Sequence, residues 1–161
     1  MPEMTLLGWF HTILGVLAVL SGFYTLYTYR VISYDVSSGK LYILVTLLVA
    51  GSALGIYNQG GFGVAHILAV LTLIALAGGY IMECYKWFGS FSKYFQALGY
   101  TSTLLFHMIP AITDFLRRLP VGDTFIDSFE DPLLLNFHMA FLIIYVVGTI
   151  AQMIWLKRQT A

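Results

Sequence analysis

The chain has 161 residues, 59% of them hydrophobic and only 10% charged, with a formal net charge of zero. A soluble domain carries about 25% charged residues, so the composition points to lipid as the solvent, and the neutral balance excludes a basic nucleic-acid-binding surface. Cys84 is the only cysteine, which excludes an internal disulfide and a CxxC metal or redox motif.

A membrane crossing needs about 20 mostly apolar residues. No charge lies between Glu3 and Arg30, which predicts a first span over residues 5–28. This apolar run is longer than the roughly 7–15 residues of a signal-peptide core, so it is expected to stay in the mature protein. The next uncharged run, between Lys40 and Glu83, is too long for one crossing and contains Asn58-Gln59-Gly60-Gly61, a strong turn signal. It predicts a second span over 41–57, a tight hairpin and a third span over 62–82. A fourth span, over 95–115, contains Gln96, Thr101, Ser102, Thr103 and Pro110; a re-entrant segment is the alternative. A fifth, over 133–156, follows Pro132, which suits a helix start. The runs are long and continuous rather than alternating, so the fold class is all-α, an integral membrane bundle of about five helices.

Five crossings put Arg30, Lys40, Lys86, Lys93, Lys157 and Arg158 on one side. The other side has Arg117 and Arg118 beside Glu3, Asp123, Asp127, Glu130 and Asp131. Lys and Arg favour the cytoplasm, so the N-terminus is expected outside and the C-terminus inside, in a bacterial inner membrane. Tyr24, Tyr27, Tyr29, Tyr34, Tyr42, Tyr85, Trp87, Tyr94 and Trp155 fall near span ends, as interfacial aromatics do.

The four histidines, His11, His66, His107 and His138, each occupy a different predicted span. Counted along their helices, all four sit roughly 6–12 Å below the outer boundary. Gly8, His11, Gly15, Ala18 and Gly22 form a small-residue seam, and Gly51 and Gly55 stand at GxxxG spacing, both being packing faces. Thr103, His107, Pro110 and Asp114 share one helical face, and His138, Tyr145, Gly148 and Gln152 another. Ionisable residues inside spans usually face the bundle interior and mark sites.

Four readings of this layer compete. Two of the imidazoles hold the iron of a haem b, in a small cytochrome or redox subunit exchanging electrons with a quinone. Three or four of them bind copper, iron or zinc; Met108 and Met139 follow His107 and His138, but neighbours on a helix point about 100° apart. His107 and Asp114 carry protons or substrate. Or the imidazoles hydrogen-bond between helices, in a non-catalytic subunit of a larger membrane complex. The inner half offers no histidine, only Met82, Cys84 and Met153, all expected to be packing residues. The acidic loop 121–131 is expected to be solvated. No GxSxG, HExxH, Walker or dinucleotide motif is present, and no inverted repeat suggests a transporter.

Gly8-Trp9-Phe10-His11 followed by Gly15 and Gly22, then Ser38-Gly39-Lys40-Leu41-Tyr42, then Gly60-Gly61, resembles a group of uncharacterised bacterial multi-pass "predicted membrane proteins". The resemblance covers roughly the first half of the chain and implies a membrane address. That group carries a histidine four residues before the loop glycine, where this chain has Asp35. In topology the chain is also similar to five-helix cytochrome b subunits of respiratory complexes. That similarity implies haems near both faces, whereas these histidines occupy one half.

Overall fold

The computed structural model describes residues 5–57 and 61–159. Five helices account for most of them: α1 Leu6–Tyr29, α2 Ser37–Ala53, α3 Val64–Tyr85, α4 Ser92–Arg118 and α5 Pro132–Arg158. No strand occurs among the described residues. Three of the helices, α1, α3 and α5, are long and apolar enough to cross a membrane. α2 is apolar but shorter, at 17 residues. The predicted hairpin between the second and third spans falls partly outside the described residues.

Local chemistry sets the helix ends. Thr5 caps α1 by accepting from the Gly8 N–H at 3.1 Å, and Asp131 caps α5 by accepting from the Leu133 N–H at 2.8 Å. Pro132 occupies the first position of α5, where its missing N–H costs nothing. α2 lies about a turn earlier than the uncharged run implies. It starts at Ser37, so Lys40 stands in its first turn, and it ends at Ala53, after which the Gly55 and Ile56 N–H groups bond back to Ser52 and Ala53 in a tighter turn. Charge at a membrane boundary does not stop a helix, and apolarity beyond its last residue does not extend it. α4 likewise runs through Asp114, Arg117 and Arg118 as one unbroken helix about 40 Å long. It does not double back, as a re-entrant segment would.

The bundle is built around α4, which packs against α1, α3 and α5, while α2 fills the space between α1 and α3. The core mixes apolar side chains such as Ala18, Tyr42, Val45, Val49 and Leu104 with polar ones, and the exterior is apolar. Thr25, Thr46, Thr72, Thr101, Thr103, His66, His107 and Gln152 are buried, whereas Leu6, Ile13, Leu20, Ile74, Ile144 and Val147 are exposed. Close approach of backbones is the organising device. A side chain at Gly22 would meet the Tyr42 ring and Leu104, and one at Gly79 would meet the Tyr100 ring. At Gly99 it would meet the backbone of Ala75 and Gly79, so α3 and α4 cross there almost in contact.

The small-residue seam of α1 is observed in part: Gly8, Ala18 and Gly22 are buried, whereas a side chain at Gly15 would meet nothing within 4 Å. The GxxxG expectation for the second span is not. Gly51 is exposed and faces open space, and Gly55 lies beyond the helix end. α2 instead buries Gly39, Tyr42, Val45, Thr46, Val49 and Ala50, one face at three- and four-residue steps. Tyr42 is therefore core rather than interfacial, with no exposed surface. Cys84, expected to pack, is exposed on the last turn of α3.

Candidate functional site

All four imidazoles turn toward protein and lie in the half of the bundle where α1, α3 and α5 begin and α2 and α4 end. On α1, His11 Nδ1 lies 3.1 Å from both the Val49 carbonyl and Ser52 Oγ of α2. A carbonyl only accepts, so Nδ1 carries a proton and Nε2 of the neutral ring is the acceptor. On α4, His107 Nε2 lies 3.1 Å from Thr46 Oγ1 of α2, and its ring stands edge-on to Tyr42 at 6.3 Å. On α5, His138 Nε2 lies 3.2 Å from Thr113 Oγ1 of α4. At the start of α3, the His66 ring stacks on Phe62 at 5.1 Å and leans on Tyr57 at 4.7 Å. Its Nδ1 accepts from the Gly63 N–H at 3.1 Å, and its buried Nε2 has no hydrogen-bond partner among the described residues.

Only His11 and His107 come together. They line one cavity of about 70 Å³, with Thr72 of α3 and with Phe106 and Pro110 of α4. Pro110 has no N–H to offer the carbonyl four residues earlier. That carbonyl belongs to Phe106, so the cavity lies beside a backbone acceptor released from the helix. One water needs about 10–15 Å³ of such space, so the cavity has room for a few waters between two imidazoles. His66 and His138 sit elsewhere, each with its own contacts. The expected single layer is thus one pair and two separate residues.

The space bears on the haem expectation. Ligand and cofactor pockets occupy about 300–1,000 Å³, several times the volume between His11 and His107. A larger groove, of about 580 Å³, opens between α1, α4 and α5, but none of the four histidines lines it. Neither cavity combines a histidine with the space a tetrapyrrole needs. Nor do three or more His, Cys, Asp or Glu side chains converge as a metal-holding group among the described residues. Met108 lines the large groove and Met139 is exposed, so neither thioether joins the histidine pair. Asp114 does not touch His107. It is largely exposed and pairs with Arg118 one helical turn away, at 3.6 Å.

Polar contacts continue inward from the pair. Thr46 contacts the Tyr42 hydroxyl as well as His107. Tyr42 in turn bonds Thr103, and Thr103 Oγ1 donates to the Tyr100 carbonyl at 2.7 Å. There the sequence of hydroxyls ends, because the Tyr100 ring fills the notch left by Gly79. On the far side, the Tyr100 hydroxyl donates to Glu83 at 2.9 Å, and the same carboxylate accepts from the Ser33 hydroxyl and the Tyr34 N–H. Two polar segments therefore face each other across one tyrosine ring.

Tyr42, Thr46 and Glu83 were not singled out from the sequence. Tyr42 and Glu83 carried the ordinary marks of a span boundary, and Thr46 is one hydroxyl in an apolar run. The signal available was the helical spacing of Tyr42 and Thr46, which puts both on one face. Comparison of the chain with protein families, with curated proteins and with solved structures finds no match.

Proposed function

We propose that this chain is a multi-pass protein of the bacterial inner membrane, crossing five times with its N-terminus outside. In its outer half, the His11–His107 cavity exchanges protons with the outer compartment as part of a proton or substrate path. The observation that carries this reading is the cavity itself. Two imidazoles from different helices flank a space sized for a few waters, beside a carbonyl freed by proline. Intramembrane histidines in a wet interior are the usual parts of proton relays.

Both rings also hold α2, through Val49, Ser52 and Thr46, so a change of protonation reaches a helix and not only a solvent pocket. Exposed apolar side chains around the whole bundle and antiparallel packing of α2 and α4 with the three long helices favour five crossings. Six of the eight basic residues, at the ends of α1, α3 and α5 and the starts of α2 and α4, favour the stated orientation.

The test is nitrogen-15 NMR of histidine-labelled protein in bilayers. Two imidazoles, assigned by His11→Gln and His107→Gln, should titrate and exchange with heavy water supplied from the outer face. If neither responds to outer pH, the reading fails. An absorbance spectrum of the purified protein is the companion measurement. A Soret band that shifts on dithionite reduction would replace the proton reading with the redox one.

A further inference from the structure

The second feature lies on the opposite flank from the histidine pair. α5 packs along α4 but not along α1, which leaves a wedge of about 580 Å³ between α1 and α5, floored by α4. Its walls are apolar: Phe23 and Leu26 from α1, Leu105 from α4, Phe141 and Ile144 from α5. The polar residues cluster at one end, where Thr101, Gln152 and Arg30 line it.

The amide and the threonine hydroxyl there are already engaged. Gln152 Oε1 accepts from Thr101 at 2.9 Å, and its Nε2 donates to the Arg30 carbonyl at 2.8 Å. Tyr145 on the wall is bonded to Ser102 at 2.8 Å. The Arg30 guanidinium has no hydrogen bond or ion pair among the described residues. The charged group that lines the wedge is therefore a cation of fixed charge, with the Trp155 indole beside it, and its planar donors match a phosphate. Arg30 also stands at the end of the bundle where Lys40, Lys86, Lys93, Lys157 and Arg158 gather, the end that draws anionic lipid.

We propose that this wedge seats an acyl chain of an anionic phospholipid, with the phosphate on Arg30. A quinone is the poorer match, because its uncharged head would leave the Arg30 guanidinium without an anion. A zwitterionic lipid presents a phosphate together with its own cation, which the basic end of the bundle repels.

The experiment is native mass spectrometry of the intact protein, released from detergent after equilibration with phosphatidylglycerol or with phosphatidylcholine of the same acyl chains. Gly148 lines the wedge, and a side chain there meets nothing within 4 Å, so Gly148→Leu fills the space without disturbing the fold. Wild type should retain one phosphatidylglycerol with about tenfold preference over phosphatidylcholine. Arg30→Gln should remove the preference, and Gly148→Leu should remove retention of both lipids. Equal retention of the two lipids by wild type, or undiminished retention in Gly148→Leu, overturns the proposal. Displacement of phosphatidylglycerol by inorganic phosphate alone also overturns it, since the chain would then contribute nothing. If Arg30→Gln fails to fold, the wild-type headgroup comparison and Gly148→Leu still decide.

Discussion

At the scale of single residues, glycines that look alike in the sequence do different work. Spacing puts Gly15 and Gly22 on one stripe of α1, yet a Cβ at Gly15 meets nothing within 4 Å while one at Gly22 lies 2.7 Å from the Tyr42 ring and 2.8 Å from Leu104. Gly22→Leu should cost about 1–3 kcal/mol by overpacking. Gly15→Ala should be neutral or should stabilise by about 0.5–1 kcal/mol through helix propensity. Unfolding of both variants in mixed detergent micelles checks the contrast, and equal effects would refute it. Glu83 gives a second prediction. Its carboxylate gathers Ser33, Tyr34 and Tyr100 from two other parts of the chain. Glu83→Ala removes the acceptor from all three donors and should destabilise the protein by about 2–3 kcal/mol in the same assay.

The seam and the inward turn of His11 and His107 were legible because helical spacing alone fixes which residues share a face. The role of Glu83 was not, because its partners lie 50 and 17 positions away along the chain. An acidic residue ending an apolar run looks the same whether or not it has partners. His66 shows the same limit. Depth along a helix placed it beside the other histidines, but depth carries no information about azimuth between helices.

At the scale of elements, α5 docks through a ladder of polar contacts to α4: His138 to Thr113, Tyr145 to Ser102 and Gln152 to Thr101. The three α5 residues are seven apart, the spacing that keeps side chains on one seam of a pair of crossing helices. The sequence displayed this face, and the partners on α4 became visible only when the two helices were set antiparallel. Interhelical hydrogen bonds of this kind contribute about 0.6 kcal/mol on average and up to about 2. Tyr145→Phe should therefore lower stability by roughly 0.6 kcal/mol. Gln152→Leu should lower it more, because Gln152 also ties α5 to the Arg30 carbonyl. A larger loss in Tyr145→Phe than in Gln152→Leu would reject this ranking. The displacement of α2 by about a turn has the opposite lesson. Charge-free runs measure what lipid tolerates, whereas helix ends are set by backbone hydrogen bonds at Val36, Ser52 and Ala53.

At the scale of the molecule, an apolar exterior around a core of mixed polarity and three helices long and apolar enough to cross a membrane suit hydrocarbon as the outer solvent. Hydropathy revealed the all-helical class and the approximate segments, since length and apolarity suffice for those. The path of polar contacts was hidden, since it depends on which helices become neighbours. The proposed orientation makes a direct prediction about Cys84, which is exposed at the end of α3 near Lys86. A membrane-impermeant maleimide should label it in inverted vesicles and not in intact spheroplasts. A Ser128→Cys change in a Cys84→Ser background should show the reverse, because Ser128 lies on the acidic loop before α5. Labelling of both sites from one face would sink the five-crossing topology.

The way α5 is attached also bears on biogenesis. The glycine crossings and the Glu83 contacts all lie within the part of the chain that holds the first four helices, so those helices are expected to hold one another without α5. α5 is lashed to them like an outrigger to a hull, by its polar ties to α4, by the Gln152 bond to the Arg30 carbonyl and by the packing of Leu134 on Leu116 and Ile126. A nascent chain released after Pro120 should insert as a stable fragment, and a separately expressed segment 121–161 should recapture it in the same cell. Co-purification of the two pieces from membranes would demonstrate that separable attachment, and degradation of the first piece in the absence of the second would disprove it.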